Sequence, residues 1–501
     1  MQDNPPIAGP LAAVDMGSNS FRLEIGQLFH GRYRRIDYLK ETVRLGAGLD
    51  AAGLLGEEAV ERGLACLSRF ATRLASFAPG QVRAVATQTL REARNRDAFL
   101  LRAQAVLGVP IEVISGREEA RLIYAGVVHL QPADEPRLVV DIGGRSTELI
   151  LGRGRVPTVA ESFGVGCVGL SMRFFDGGRI TEEGFRAAQV AAGAELEEGL
   201  QSFAPSRWQQ ALASSGTASA VSQLLMANGV TDGRITPAGL RWCIERCLDA
   251  GHVDRLQLTG LKPERRPVLP GGLAILYTLA ANYGIATLWP AKGALRQGVI
   301  VDLHERLEAR HRARPGDMRD ASVHELQRRF GVDTAQARRV AAVALELFDS
   351  VMPDADAEIR RELAWACELH EIGLMVSHHD HHRHSAYLLA HVDAPGFSQS
   401  QQRRIGELVL GQRGGLRKVE SSLTSDVLAW QVLCLRLAVI KCHARGEVDR
   451  NAMTLRRRGR EALLGYSARW AEVHPRTAYL LQEEADSWAR AGTLRLTLPA
   501  R

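Results

Sequence analysis

The chain has 501 residues, 46% of them hydrophobic and 24% charged, and its formal net charge is +6. These values exclude a predominantly disordered chain, and the length exceeds what one ordinary core supports, so about three domains are expected. The charge is too modest for a protein built around nucleic acid, and seven scattered cysteines, odd in number, fit a reducing cytoplasm better than a disulfide framework.

Residues 1–10 lack a basic region followed by an apolar core, so no signal peptide is expected. The next segment, LAAVDMGSNSFRLEIG at 11–26, is echoed by LVVDIGGRSTELILG at 138–152. A constant offset of 126 aligns Asp15 with Asp141, Gly17 with Gly143, Ser20 with Ser146, Leu23 with Leu149 and Gly26 with Gly152. Each copy predicts a strand, a tight turn and a second strand, and an offset this long points to two related domains. The turns carry the chemistry. Glycine lets the backbone approach an anion closely and adopt positive φ, and successive amides form a nest for phosphate. Serine hydroxyls add donors. An aspartate at a strand end suits a divalent cation such as Mg²⁺, which prefers oxygen ligands and keeps several waters.

Between the copies, Val113-Ile114-Ser115 ends a short strand, and Glu118 and Glu119 open a helix that Ser115 is placed to cap. Early helical glutamates complement the helix dipole, which accounts for one of the pair. Cleaving a phosphoanhydride also needs a group that readies water beside the phosphate. Neighbouring helix positions diverge by about 100°, so only one glutamate can face a cleft. A third loop, Ser214-Ser215-Gly216-Thr217, precedes a helical pattern and offers further amides to an anion. The most apolar stretch, 268–290, contains Gly271, Gly272, Asn282, Tyr283 and Gly284, which suit a buried helix and strand rather than a membrane span.

Past Asp302 the pattern turns helical. Residues 369–391 hold seven of the fifteen histidines, including His378-His-Asp-His-His-Arg-His384. A polar loop with helix caps accounts for that run better than a metal site. Arginine clusters at Arg403-Arg404, Arg413 to Lys418 and Arg456 to Arg460 together point to an anionic partner. An alternating Thr493–Leu498 strand closes the chain.

The sequence resembles the exopolyphosphatase and guanosine pentaphosphate phosphohydrolase family of the actin-like ATPase superfamily. The resemblance rests on Asp15-Met-Gly-Ser-Asn-Ser20, Ala86-Thr-Gln-Thr-Leu-Arg91, Ser115-Gly-Arg-Glu-Glu-Ala120, Asp141-Ile-Gly-Gly-Arg-Ser-Thr-Glu148, Ser215-Gly-Thr217, Pro270-Gly-Gly-Leu-Ala-Ile275 and Gly293-Ala-Leu-Arg-Gln-Gly298. It implies an α/β fold of two actin-like (ribonuclease H-like) lobes, 1–122 and 123–309, with the site between them. An α-helical HD-like domain, 310–448, and a small C-terminal α+β domain, 449–501, are expected to follow.

The resemblance further implies that Glu119 readies the attacking water. Asp141 and Glu148, with Asp15, would hold Mg²⁺ or position the water. Gly17, Ser18, Asn19, Ser20, Gly143, Gly144, Arg145 and Ser146 would grip terminal phosphates, with Ser215, Gly216, Thr217, Arg91 and Arg296 as further contacts. Arg145 departs from the small residue usual at its position. It would either reach the phosphate or crowd the nest. Glu371 follows His370 where the helical domain's His-Asp pair would require Asp. The expected activity is exopolyphosphatase, in a cytoplasmic homodimer with inorganic polyphosphate as substrate. The alternatives are removal of the 5′-terminal phosphate from guanosine pentaphosphate, and a polyphosphate-sensing protein with weakened catalysis.

Overall fold

A computed structural model describes residues 9–29, 31–312, 317–449 and 452–499, and the chain divides into two compact units, 1–316 and 317–501.

The first unit is built twice from one topology. Strands β1 (Leu11–Met16), β2 (Phe21–Phe29) and β3 (Arg32–Glu41) form an antiparallel meander. Helix α1 (Glu57–Leu74) follows, then β4 (Val82–Ala86), α2 (Gln88–Glu92), α3 (Arg96–Leu107) and β5 (Ile111–Val113). The parallel additions of β4 to β1 and of β5 to β4 give the order β3-β2-β1-β4-β5. After α4 (Gly116–Leu130) the pattern restarts with β6 (Arg137–Ile142), β7 (Thr147–Arg153) and β8 (Val156–Phe163). Helices α5 (Cys167–Phe174) and α6 (Glu182–Leu196) lead to β9 (Gln210–Ala213). Helices α7 (Gly216–Ala227), α8 (Pro237–Ala250) and α9 (Leu269–Asn282) lead to β10 (Leu288–Pro290), and α10 (Leu295–Arg312) completes the unit. The second sheet runs β8-β7-β6-β9-β10, the same order as the first. The sequence offset is therefore structural: β1 begins at 11 and β6 at 137, which is 11 plus 126.

Central strands buried on both faces read as continuous apolar runs, as parallel sheets require. β1 is buried at all six positions. One core joins the two halves. It gathers Ala13 and Val85 from the first sheet, Val139 and Leu212 from the second, and Leu122, Ile123, Val299 and Ile300 from α4 and α10 between them. The two helices cross at bare backbone. A Cβ on Gly298 would fall 1.7 Å from the Leu122 carbonyl oxygen, and one on Gly126 would fall 2.3 Å from that of Ala294. This close approach explains both glycines of the Gly293–Gly298 motif, because a Cβ on Gly293 would also meet the Gly126 carbonyl.

The second unit contains α11 (Met318–Arg329), α12 (Thr334–Val351), α13 (Ala357–Leu369), α14 (His381–His391), α15 (Gln399–Gly411) and α16 (Asp426–Lys441). A small sheet of β11 (Thr454–Arg458), β12 (Glu461–Gly465) and β13 (Arg495–Thr497) follows, with α17 (Ala468–Val473) and α18 (Pro475–Ala491) before its last strand. Trp430 and Trp488 are fully buried in its core. Its histidines are set among cations. Arg413 lies 3.2 Å from His381 Nε2, and Arg445 pairs with Glu371. Burial pushes His381 and His382 down to about 4, helped by Arg413 at the first and by Lys418 and Arg413 at the second. Among the described residues, no helix is long and apolar enough to cross a membrane.

Candidate active site

Both Gly/Ser turns leave their sheets at equivalent points and meet. A Cβ on Gly144 would lie 3.1 Å from Ser18 Cβ and 3.5 Å from the Asn19 nitrogen, so the loops pack edge to edge. They line one cleft of about 250 Å³ with Asp15, Glu119, Asp141, the Ser214–Thr217 turn and Arg296. The turns differ from the expected nest in one respect. Gly17, Gly143 and Gly144 are absent from the left-handed region, so the glycines serve close approach rather than positive φ. Gly143 N–H donates to the Ser146 carbonyl at 2.8 Å and closes the second turn. Arg145 likewise needs no left-handed conformation and is accommodated without that strain.

Strand register sets the acids. Asp15 faces Arg22 across β1–β2, and Asp141 faces Glu148 across β6–β7. Asp15, 3% exposed, lies 3.2 Å from Arg22 and 3.5 Å from Arg296. Asp141 accepts from the Ser214 hydroxyl at 2.6 Å. Burial pushes its carboxyl up, aided by the Asp15 charge, although the Ser214 bond opposes this. Glu148, 1% exposed, accepts from Ser162 at 2.8 Å. Burial holds it well above the usual carboxylate range, and the Glu119 and Asp141 charges add to the effect. Glu148 and Arg91 do not line the cleft, but Glu148 faces Asp141 and Arg91 holds Glu119, which do.

Ser115 caps α4, accepting from Glu118 N–H at 3.1 Å, and the two glutamates then diverge. Glu118 turns inward to Arg121 at 2.7 Å, within a buried network centred on Asp302 and Arg83. Glu119 faces the cleft, and its Oε2 accepts from Arg91 at 2.8 Å. Burial raises its pKa, Arg91 partly offsets this, and Asp15 and Asp141 push it further up.

Helix α10 delivers Arg296, which is held by Glu24 at 3.2 Å and stacked 5.2 Å from the centre of the Tyr38 ring. Sequence reasoning missed three further cations on this wall, Arg22, Lys40 and Arg265. Arg265 lies against the start of α7, where a Cβ on Gly216 would meet its guanidinium at 2.2 Å. Burial and the neighbouring Arg265 and Arg22 charges bring Lys40 down to about 8. Arg22 carried a readable signal, because the 126-residue offset sets it opposite Glu148 in the alignment. The segment around Arg265 carried none, since only tertiary folding brings it to the cleft.

Among the described residues, no three His, Cys, Asp or Glu side chains converge to hold a metal unaided. Asp141 and Glu148 nevertheless present paired carboxylates whose mutual repulsion a cation relieves. Mg²⁺ is commonly held by one or two carboxylates together with substrate phosphates and waters. The donor set fits that mode.

The model of the Ppx/GppA phosphatase family matches residues 29–307, more than half of the chain, and that of the family's domain III matches 318–485. The chain belongs to the Ppx/GppA phosphatase family. Membership implies hydrolysis of phosphoanhydride bonds. Solved structures agree. An exopolyphosphatase-like protein is 25% identical, covering 60% of this chain and 99% of its own, with a TM-score of 0.53. The Aquifex aeolicus member of the Ppx/GppA family is 26% identical, covering 60% and 99%, with a TM-score of 0.50. An exopolyphosphatase from Cytophaga hutchinsonii, 23% identical over 60% and 98%, shares the fold with a TM-score of 0.54.

Proposed function

We propose that the protein is an exopolyphosphatase that releases orthophosphate from the end of inorganic polyphosphate. The observation carrying this reading is the charge layout of one cleft. Two touching phosphate loops and four cations, Arg22, Lys40, Arg265 and Arg296, surround a buried carboxylate group of raised basicity.

In this reading the loop amides and hydroxyls of Gly17–Ser20 and Gly143–Ser146 grip the terminal phosphates, and Arg296 and the Ser215–Thr217 turn add donors. Arg91 occupies Glu119 Oε2, which leaves Oε1 to accept the proton of a water in line with the terminal phosphorus. The water oxygen bonds to phosphorus, the bridging P–O bond breaks, and the shortened chain departs on its own phosphate oxygen. A carboxylate whose pKa is raised is the stronger base for this transfer. Asp141 and Glu148, with Asp15 beside them, would hold Mg²⁺, which supplies neutralisation of charge on the phosphates. Positioning and electrostatics provide most of the acceleration.

The reading extends to the whole chain. It comprises actin-like lobes at 1–122 and 123–309, an HD-like helical domain at 310–448 and a small domain at 449–501. It also includes a cytoplasmic homodimer whose arginine clusters guide the polyanion.

A second reading, 5′-phosphate removal from guanosine pentaphosphate, is favoured by one feature. A groove of about 440 Å³ shares Ser18 and Asn19 with the cleft and is walled by Val168, Met172, Phe175 and Val253, an apolar setting suited to a nucleoside. Steady-state kcat/KM for long-chain polyphosphate against the pentaphosphate decides between them. Exopolyphosphatase requires the first to exceed the second, and the reverse order overturns the proposal.

A further inference from the structure

We propose that Arg145 is a positioning residue for Glu119, acting across the cleft through Glu92, Gln88 and Arg91. The inference rests on the hydrolytic reading of the cleft. Arg145 sits within the second phosphate loop, yet the cleft is lined by its neighbours Gly144 and Ser146 and not by Arg145. Its guanidinium instead reaches the half of the unit built on the first sheet. There Nε and Nη2 lie 2.9 and 2.8 Å from Glu92 Oε2, and Nη1 lies 3.3 Å from the Gly46 carbonyl.

From Glu92 the contacts run without a break to the base. Glu92 Oε1 accepts from Gln88 Nε2 at 2.6 Å. Gln88 Oε1 accepts from Arg91 Nε at 2.9 Å and from Nη2 at 2.6 Å. Arg91 Nη1 then donates to Glu119 Oε2 at 2.8 Å and to the Ile114 carbonyl at 3.0 Å. Chemistry fixes the sense of each link. A guanidinium only donates and a carboxylate only accepts, so the Gln88 amide has one satisfactory orientation, with its oxygen to Arg91 and its nitrogen to Glu92. That orientation holds Arg91 by two of its nitrogens and leaves the third for Glu119.

Arg145 keeps the Glu92 charge engaged. Without it, the Glu92 carboxylate is no longer held where it fixes the Gln88 amide, so Gln88 and Arg91 lose their settings and the base loses its fixed orientation. The same arm ties the second phosphate loop to the base. Arg145 meets Glu92 only while the second phosphate loop stands against Gly46, whose N–H in turn donates to the Ser18 carbonyl at 2.8 Å.

The test measures phosphate release from long-chain polyphosphate by wild type, Arg145→Ala, Arg145→Lys, Glu92→Gln and the Arg145→Ala/Glu92→Gln double variant. All variants are first checked for folding by thermal melting. We expect kcat to fall about three- to ten-fold in Arg145→Ala with KM within about two-fold of wild type. Glu92→Gln should match it, although it leaves the phosphate loop untouched. The double variant should be no worse than either single one, since both break one link. Arg145→Lys should recover part of the kcat. A raised KM with unchanged kcat in Arg145→Ala, wild-type kinetics in Glu92→Gln, or multiplying losses in the double variant would overturn the assignment. Should Arg145→Ala fail to fold, Glu92→Gln alone decides it. Wild-type protein that releases no phosphate from polyphosphate or the pentaphosphate defeats the hydrolytic reading itself, and this assignment with it.

Discussion

The β1–β2 and β6–β7 hairpins share a backbone plan and a strand-end aspartate, but the residue facing that aspartate is Arg22 in the first and Glu148 in the second. The first copy is thereby neutralised, and Arg296 adds a second cation to Asp15. In the second copy two acids confront each other, and burial raises both. One charge exchanged at a single register position separates a neutralised aspartate from an acidic pair. On the proposed reading the first half holds phosphate and the second serves the reaction, and the duplication supplies each with a Gly/Ser loop.

Four measurements press on this contrast. The largest effect is expected at Glu119, the proposed base. Glu119→Gln keeps the Arg91 contact yet cannot take a proton, so kcat should fall about 10²- to 10⁴-fold. Activity within ten-fold of wild type would remove Glu119 from the chemistry. Next comes Glu148→Gln, which makes the second hairpin less acidic. It should cost about 10- to 100-fold in kcat and shift the Mg²⁺ titration to higher concentration. An unshifted titration would separate Glu148 from the cation.

Arg22→Gln probes the holding half. KM for polyphosphate should rise about five-fold while kcat changes little, and the dependence of KM on ionic strength should flatten. A loss confined to kcat would erase the distinction between the hairpins. The smallest effect belongs to Lys40. Its pKa, brought down to about 8, means that the amine is charged at pH 7 and largely neutral at pH 9, where an ordinary lysine remains charged. KM should therefore rise about two- to three-fold between those values, and Lys40→Arg, charged throughout, should remove the rise.

Much of this layout was legible in the chain itself. The 126-residue offset marked both hairpins to the residue, because a turn that approaches an anion tolerates few residue types. The helix start at Ser115 was equally plain, since its cap follows from local chemistry. Which glutamate faced the cleft was left open by the residues themselves, and only the family resemblance pointed to Glu119. That choice depends on the partner network, where Arg83 and Arg121, themselves held by Asp302, claim Glu118. Lys40 and Arg265 were invisible for a related reason. They come from an outer strand and a short 3-10 helix, and only packing places them on one wall. Arg145 stood between reaching the phosphate and crowding the nest because sequence shows its bulk but not its distant partner, Glu92.

The glycine crossing of α4 and α10 has a mechanical consequence. One helix carries Glu119 and the other Arg296, and with no side chain interposed the two are seated as the jaws of a single caliper. Any widening of the mouth that preserves this seat swings the sheets and their loops about it while the gap between acid and guanidinium keeps its setting.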